Sequence, residues 1–411
     1  MHAKNRLLLS GSPIKGWITD AFWLLHWTLG NASARFPYHY KGGTEKFLDD
    51  FGIFEYTAEE FRKSLSKGKR KMLPEISNLS LLWKLFAPSI IRRKKVETGE
   101  ILVDKHIHKI KLNFTQDQKR VYDWWIDNFS TWFESTHDSK ISGTQIEYMK
   151  AILGLLWKLR LSTTVPASTL LKKSGEGEKG ISNFTEKTLF IARKVKEIID
   201  AQEQVVIFTA LQDYGEFLQE LFLEAQIGSR LVNGNVNPRK RSEVIAAFKQ
   251  REFPILIAGT EAVNLGHNLD NANHIIMCDY IWEHSTTRQA IDRVHRLTST
   301  KDVNVYLLYI ENTIDEKQLK LIENKGKSSD LALDGELIDQ DEIEIDFLKI
   351  AKEILRDHDF SRNHAVPEQL IEHQVRTIFN ISIDEKPEDR QVESKEACCI
   401  YEIEQLSLFA A

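Results

Sequence analysis

Cysteine is scarce in this chain: Cys278, Cys398 and Cys399 are the only three among 411 residues. They lack paired Cys-x-x-Cys spacing, which excludes a disulfide framework and a cysteine-built zinc site and fits a reducing compartment. Long apolar runs are missing too. The most apolar early stretch, Gly16 to Ala34, is broken by Asp20, His26 and Gly30, and no run reaches the ~18 residues of a membrane span. Leu7-Leu8-Leu9 is too short for a signal-peptide core and runs at once into Ser10-Gly11-Ser12-Pro13. A cytoplasmic protein with no membrane partner is expected. There is no internal repeat. No G-x-G-x-x-G follows a strand candidate, which weighs against a dinucleotide or nucleotide-sugar enzyme.

What is present is a globular composition. Hydrophobic residues make up 42% and charged residues 28%, so a wholly disordered, collagenous or coiled-coil chain is excluded. The length allows two to three domains at roughly 150 residues each. The net charge of -5 hides an asymmetry, because Leu331 to Ala411 holds 8 basic and 20 acidic residues, net -12, leaving +7 on everything before it. A mildly basic body can lie along phosphates, while an acidic tail is repelled by them.

Between Lys187 and Ile310 apolar runs alternate with segments of helical period. Leu189, Ala192, Val195 and Ile199 share one helical face, Gln204 to Phe208 reads as a strand, and Tyr214, Phe217, Leu218, Leu221 and Phe222 share the next face. Asn237-Pro238 reads as an N-cap with proline at the first helical position. Pro254 to Ala258, His274 to Cys278 and Val303 to Ile310 are further strand candidates. Apolar strands separated by amphipathic helices predict an α/β fold, a parallel sheet covered on both faces. Thr115 to Leu171, rich in Trp, Leu and Tyr, reads as a helical insertion leaving through the loop Lys172 to Gly180. Trp124, Trp125, Trp132 and Trp157 are expected in its core, with a single-strand stacking platform as the other reading. At the front, Arg6 to Leu9 reads as a strand and Ile18 to Leu29 as a helix. Thr313 and Glu316 form a capping box for a helix to about Lys325. The tail from Asp346 carries one more helical stretch. His106 and His108 are too few for a metal site without a third ligand and read as an exposed strand edge, so no metal site is expected.

The segment Gln289-Ala290-Ile291-Asp292-Arg293-Val294-His295-Arg296 is the most informative. At about 100° per residue, Gln289, Arg293 and Arg296 fall within roughly 60° of one another, opposite Ala290, Ile291 and Val294. Two arginines one turn apart suit a polyphosphate, because each guanidinium offers a planar fork of donors and keeps its charge. Taken alone, the same helix can be a solvated face with Asp292 and Arg296 paired at i, i+4.

The wider run resembles the second motor lobe of the Swi/Snf-like branch of superfamily-two helicases. Gln289, Asp292, Arg293, His295 and Arg296 match that family's Q-x-x-D-R-x-H-R-x-G-Q. Val205 to Thr209 is similar to V-L-I-F-S, Arg230 to Gly234 to the R-L-D-G turn, and Gly259 to Leu269 to S-T-K-A-G-G-L-G-L-N-L. Leu7 to Ile14 resembles L-L-L-T-G-T-P-I, and Ile90 to Lys94 resembles L-L-R-R-T. The sequence departs from the family at Val263-Asn264, at Trp282-Glu283-His284 and at Thr298-Ser299, which replaces the closing G-Q.

The resemblance implies a RecA-like helicase C-terminal lobe over 187–311. A remnant of the first lobe with a helical protrusion would occupy 1–112, the insertion and loop 113–186, a brace helix 312–345 and an acidic tail 346–411. Arg293 and Arg296 would be arginine fingers, with Gln289 coupling the lobes. Thr209, Thr260, Gly266, Asn268 and Arg241 would meet the nucleotide edge or the DNA backbone. The glycine-rich phosphate loop and D-E-x-H box that such motors use have no counterpart here. Gly326-Lys327-Ser328 has Leu321 where the first glycine belongs, and Asp341-Glu342 continues into Ile343-Glu344. Fingers act on a phosphate that another element positions, so ATP and Mg²⁺ are expected only in a complete two-lobe assembly, and the chain alone should be inactive.

Partners implied are double-stranded DNA and a first motor lobe on another chain, in a nucleoid-associated setting. Gln405-Leu406-Ser407-Leu408-Phe409 resembles the peptide with which bacterial proteins dock on the sliding clamp. There Leu408 and Phe409 would fill an apolar pocket, while Gln405 makes hydrogen bonds at the rim beside Leu406. The competing functional reading is a non-catalytic DNA-binding or clamp-binding module, or a truncated gene product.

Overall fold

In the computed structural model of the chain, the described residues are 6–9, 18–29, 36–55, 71–76, 78–87, 89, 91, 102–138, 145–168, 181–260, 268–282, 284–323, 347–358 and 365–381. Near the front, α1 (Ile18–Leu29), α2 (Gly43–Phe51) and α3 (Leu79–Phe86) gather around a small aromatic core with Phe22, Phe36, Phe47 and Phe51. β1 (Gly52–Glu55) and β2 (Lys71–Ile76) pair antiparallel beside it. α2 begins at a glycine pair for a steric reason. Gly42 takes φ +93°, and a Cβ on Gly43 would sit 1.7 Å from the Tyr38 carbonyl oxygen. The strand expected over Arg6–Leu9 does not form. Leu7 and Leu9 are 80% and 88% exposed, and no described strand lies beside them.

The remaining strands are β3 (Lys105–Leu112), β4 (Val205–Thr209), β5 (Ser229–Val232), β6 (Ile255–Gly259), β7 (His274–Met277) and β8 (Val303–Ile310). They form one six-stranded sheet in the order β3-β8-β7-β4-β6-β5, with every neighbouring pair parallel. Central β4 is buried along its whole length, as its unbroken apolar run requires of a strand covered on both faces. The expected strands appear within a residue of their predicted ends. β5 is an addition: the segment read as a turn begins as an edge strand. β3, inside the 1–112 segment, is the other edge of this sheet, and its exposed polar pattern suits an edge.

One face of the sheet, including Val205, Ile207, Ile257 and Leu308, packs under α4 (Gln116–Asp138), α5 (Gln145–Thr164), α6 (Glu186–Asp200) and α7 (Gln212–Glu224). The opposite face, including Val206, Phe208, Leu256 and Met277, packs under α8 (Pro238–Lys249), α9 (His284–Val294) and a helix described over 314–323. Asn237 caps α8 as predicted, accepting from the Arg239 N–H at 2.9 Å with Pro238 in the first turn. The cap before the 314–323 helix is a shifted box. Thr313 Oγ1 accepts from the Asp315 N–H at 3.2 Å, and Glu316 reaches back to the Asn312 N–H at 2.7 Å. Trp125 is buried in the insertion and Trp132 and Trp157 pack against its core, but Trp124 is 37% exposed.

The tail is more structured than its charge suggests. It carries two helices, α10 (Phe347–Asp357) and α11 (Glu368–Phe379), where one was expected. α11 lays Ile371, Val375 and Phe379 at i, i+4, i+8 into the core beside α6, with Phe379 edge-on to Phe222 at 5.9 Å. Residues 382–411 lie outside the described set, the clamp-like peptide among them. No described helix is long and apolar enough to cross a membrane.

At the N-terminal ends of β4 and β7, Glu203 accepts from Lys301 at 2.6 Å, Asn273 at 2.9 Å and His274 at 2.7 Å. The Lys301 contact, aided by the other two donors, lowers its carboxyl to about 2 against the cost of partial burial. A depressed folded-state pKa adds stability that is complete above the ordinary carboxylate range and lost as pH falls towards the folded value. Glu203→Gln should therefore unfold at lower urea than wild type at pH 7, with the gap closing from about pH 4.5 downward. Phe379→Ala should cost about 3 kcal/mol in the same melts, as a core truncation does; an unchanged midpoint would mean α11 is not docked.

Candidate functional site

The C-terminal end of β7 leads through Cys278, Asp279 and Tyr280 into α9. This 11-residue helix, about 16 Å long, crosses one face and returns the chain to the start of β8. Its last turn therefore carries Arg293, and the turn that follows it carries Arg296, to the N-terminal edge of the sheet. Two contacts fix that edge. The Leu269 N–H donates to the Arg293 carbonyl at 2.8 Å, and buried His295 Nε2 bonds the Val103 carbonyl at 2.8 Å, just before β3. Arg296 Nε donates to the Asp292 carbonyl at 3.2 Å.

Ser299, one of the departures from the family pattern, closes the turn after Arg296. Its hydroxyl donates to the Val294 carbonyl at 2.7 Å and accepts from the Arg296 N–H at 3.0 Å. Thr298 bonds Asp270. Two hydroxyls thus tie the turn where the family uses Gly-Gln.

Burial, and then the charge of Arg296, lower the pKa of the Arg293 guanidinium; Asp292 opposes this. Both causes penalise the cation, and an anionic group bound beside the two arginines would offset both. Gln289 is half-buried one turn before Arg293 on α9, and Asn268 is half-buried directly before Leu269. Arg293, Arg296, Gln289 and Asn268 thus belong to this side of the molecule. Gly266 lies outside the described residues.

Thr209 and Thr260 sit at the opposite, C-terminal edge, where Thr209 pairs in register with Gly259. The Thr209 hydroxyl is turned inward: it is buried and donates to Asp279. Asp279 also accepts from the Ala210 N–H at 3.1 Å and from Arg160 Nη2 of α5 at 2.6 Å. Thr260 is 2% exposed, and its hydroxyl meets no hydrogen-bond partner among the described residues. Arg241, expected at the nucleotide edge or the DNA backbone, is buried, with Nη2 donating to the Asn233 and Val236 carbonyls at 3.2 Å each, so it pins the loop before α8. Its neighbour Arg239 is the one held outward, with 91% of its side chain exposed.

A second buried pair adjoins the first. Lys187 of α6 meets Asp315 at 2.7 Å and donates to Thr164 at 2.8 Å and the Cys278 carbonyl at 3.0 Å, while Asp315 accepts from Thr163 at 2.7 Å. Arg160, Lys187, Asp279 and Asp315 were not among the sequence candidates. Asp279 interrupts the apolar run Ile275 to Trp282 and Arg160 the Leu-rich end of α5, a signal that could have found these two, since buried charges need partners. Lys187 and Asp315 lie among other charged residues and carried no such signal.

Residues 191–298 match the family described as helicase conserved C-terminal domain. The chain is 27% identical over 296 residues to YwqA of Bacillus subtilis strain 168, provisionally named an ATP-dependent helicase/translocase; the match covers 70% of this chain and 31% of YwqA. To the DNA repair protein RAD5 of Yarrowia lipolytica it is 29% identical over 141 residues, covering 34% of this chain and 14% of RAD5. A solved structure, the Sulfolobus solfataricus SWI2/SNF2 ATPase core in complex with dsDNA, aligns with a TM-score of 0.48 at 22% identity, over 85% of this chain and 65% of that one. The chain spans about a third or less of the length of the two curated relatives. The domain match places a helicase C-terminal domain over residues 191–298, within the sheet-bearing part of the chain, and the relatives it resembles include a helicase/translocase and a DNA repair protein.

Arg160→Met should destabilise the chain by about 3–5 kcal/mol, because it leaves the Asp279 carboxylate buried without its cation. Arg160→Met/Asp279→Asn should recover part of that loss in a double-mutant cycle; simple additivity would mean the pair is not coupled.

Proposed function

We propose that this chain supplies the second, finger-bearing lobe of a Swi/Snf-like DNA-dependent ATPase that translocates on duplex DNA. The observation that carries this reading is the pair Arg293 and Arg296 at one edge of the sheet, with Arg293 burdened by burial and by its neighbour's charge. Phosphate binding relieves that burden. In the working assembly the fingers stabilise charge developing on the transferred phosphoryl group, and Gln289 couples the closing lobes.

The described residues fit the phosphate side of an ATP site only. No strand among them ends in a glycine-rich phosphate loop, so positioning of the nucleotide falls to a first lobe outside them. Mg²⁺, when bound there, neutralises charge on the phosphate oxygens. The proposed DNA contact lies at the opposite edge, around Thr260 and the first turn of α8. There Asn237 caps the helix and Arg239 and Lys240 are exposed, a combination suited to backbone phosphates. The Thr209 hydroxyl is engaged with Asp279, so its part in this contact is to set the strand end. Gln405, Leu406, Leu408 and Phe409 would tether the motor to a sliding clamp, which suits a role in bacterial or phage replication, repair or transcription-coupled remodelling.

Mixing the chain with a separately expressed first lobe should restore DNA-stimulated ATP hydrolysis. Arg296→Ala should reduce that rate by about 10³-fold, the typical effect of an arginine finger. DNA binding that ignores nucleotide, with no ATPase in any mixture, would support a non-catalytic module and sink the motor reading.

A further inference from the structure

Asp104 and His106 stand two residues apart at the start of one strand, and a metal site there needs a third ligand from elsewhere in the chain. The sheet brings it. β3 lies parallel to β8 with Lys105 opposite Val303 and His106 opposite Asn304. The residues leading into the two strands, Asp104 and Asp302, therefore meet at the same edge, although 198 positions separate them. Ligand atoms of Asp104, His106 and Asp302 all lie within 4.8 Å of one another. From this juxtaposition we propose that these three residues bind a divalent transition-metal ion of the zinc type, which clamps the start of β3 to the start of β8.

The donors are held before any ion arrives. The Asp104 N–H donates to Asp302 Oδ1 at 3.0 Å, while Asp302 Oδ2 faces His106 Nε2 at 3.5 Å. The Val303 N–H donates to the Asp104 carbonyl at 2.8 Å, which fixes the backbone beneath both acids. His108 bonds Asn304 at 3.1 Å and stacks on Tyr306 at 5.0 Å, so it braces the strand and is not counted as a ligand. Tetrahedral metal bonds of about 2.0–2.2 Å place ligand atoms about 3.3–3.6 Å apart. Closing from the observed spread takes about 1.5 Å at most, which side-chain rotation on anchored strands can supply.

The ligand set narrows the ion. One imidazole with two carboxylates suits zinc, manganese, cobalt or nickel; calcium asks for an all-oxygen cage and copper(I) for sulfur. All three residues are exposed, so water can complete the coordination shell. Two carboxylates also match the charge of a divalent ion. The site is structural in kind. Val103, directly before Asp104, holds His295 through its carbonyl at 2.8 Å, so an ion here stiffens the backbone that anchors the Arg293–Arg296 segment. It stands independently of the motor reading.

The test is calorimetric titration of the EDTA-dialysed full chain with zinc chloride in excess magnesium chloride, beside thermal melts with and without zinc. One ion per chain and a zinc-dependent rise in Tm are expected. Affinity should fall at least about tenfold in Asp302→Asn and, separately, in His106→Ala, both at exposed positions. The Cys398→Ser/Cys399→Ser double variant should bind as wild type does. No binding up to millimolar zinc overturns the proposal, as does binding that survives both ligand variants or vanishes with the cysteines.

Discussion

Two buried ion pairs hold the C-terminal edge of the sheet: Arg160 with Asp279, and Lys187 with Asp315. Removing four charges from water costs free energy that their mutual attraction only roughly offsets. Their effect lies in what they forbid. Asp279 satisfies Arg160, Thr209 and the Ala210 N–H together only when α5 meets the ends of β4 and β7 in this arrangement. Lys187 imposes the same demand on α6, the end of α5, Cys278 and the segment after β8. The helical insertion is thereby locked to the six-stranded sheet and shares a single core with it.

With that edge fixed, the parallel topology decides where chemistry can occur. A helix that follows a parallel strand must carry the chain back across the sheet, so α9 leaves from the edge of Thr209 and delivers Arg293 and Arg296 to the other. Residues that the family motif strings together thus divide into two groups at opposite ends of the strands. The departures from that motif are accommodated locally: Thr298 and Ser299 hold the turn after Arg296 by hydroxyl contacts.

The central strands of the sheet were legible because they are largely apolar runs and the helices between them carry one apolar face each, both short-range signals, whereas the polar edge strand β3 and the short β5 lack that signal. Asn237-Pro238 announced α8 for the same reason. Contacts between distant segments were not legible. Arg241 reads as an available cation, and only the folded loop around Asn233 and Val236 shows that it is buried with Nη2 bonded to that loop. The acid count of the tail masked the Ile371, Val375, Phe379 stripe, although three apolar residues spaced by four are a helix signal in their own right. Arg6 to Leu9 reads as a strand, but a strand needs a neighbour, and none of the described strands supplies one. Of the site, the arginine segment was recognisable from spacing, whereas Asp279 and Arg160 became visible only when 119 positions closed to 2.6 Å.

The central claim is that Arg293 and Arg296 complete a nucleotide site whose positioning wall comes from elsewhere. The most direct measurement is the ATP turnover of the purified 411-residue chain by itself, with and without duplex DNA. The account predicts a rate no different from the protein-free blank in both conditions. A DNA-stimulated rate from the chain alone, abolished in Arg293→Ala, would contradict it.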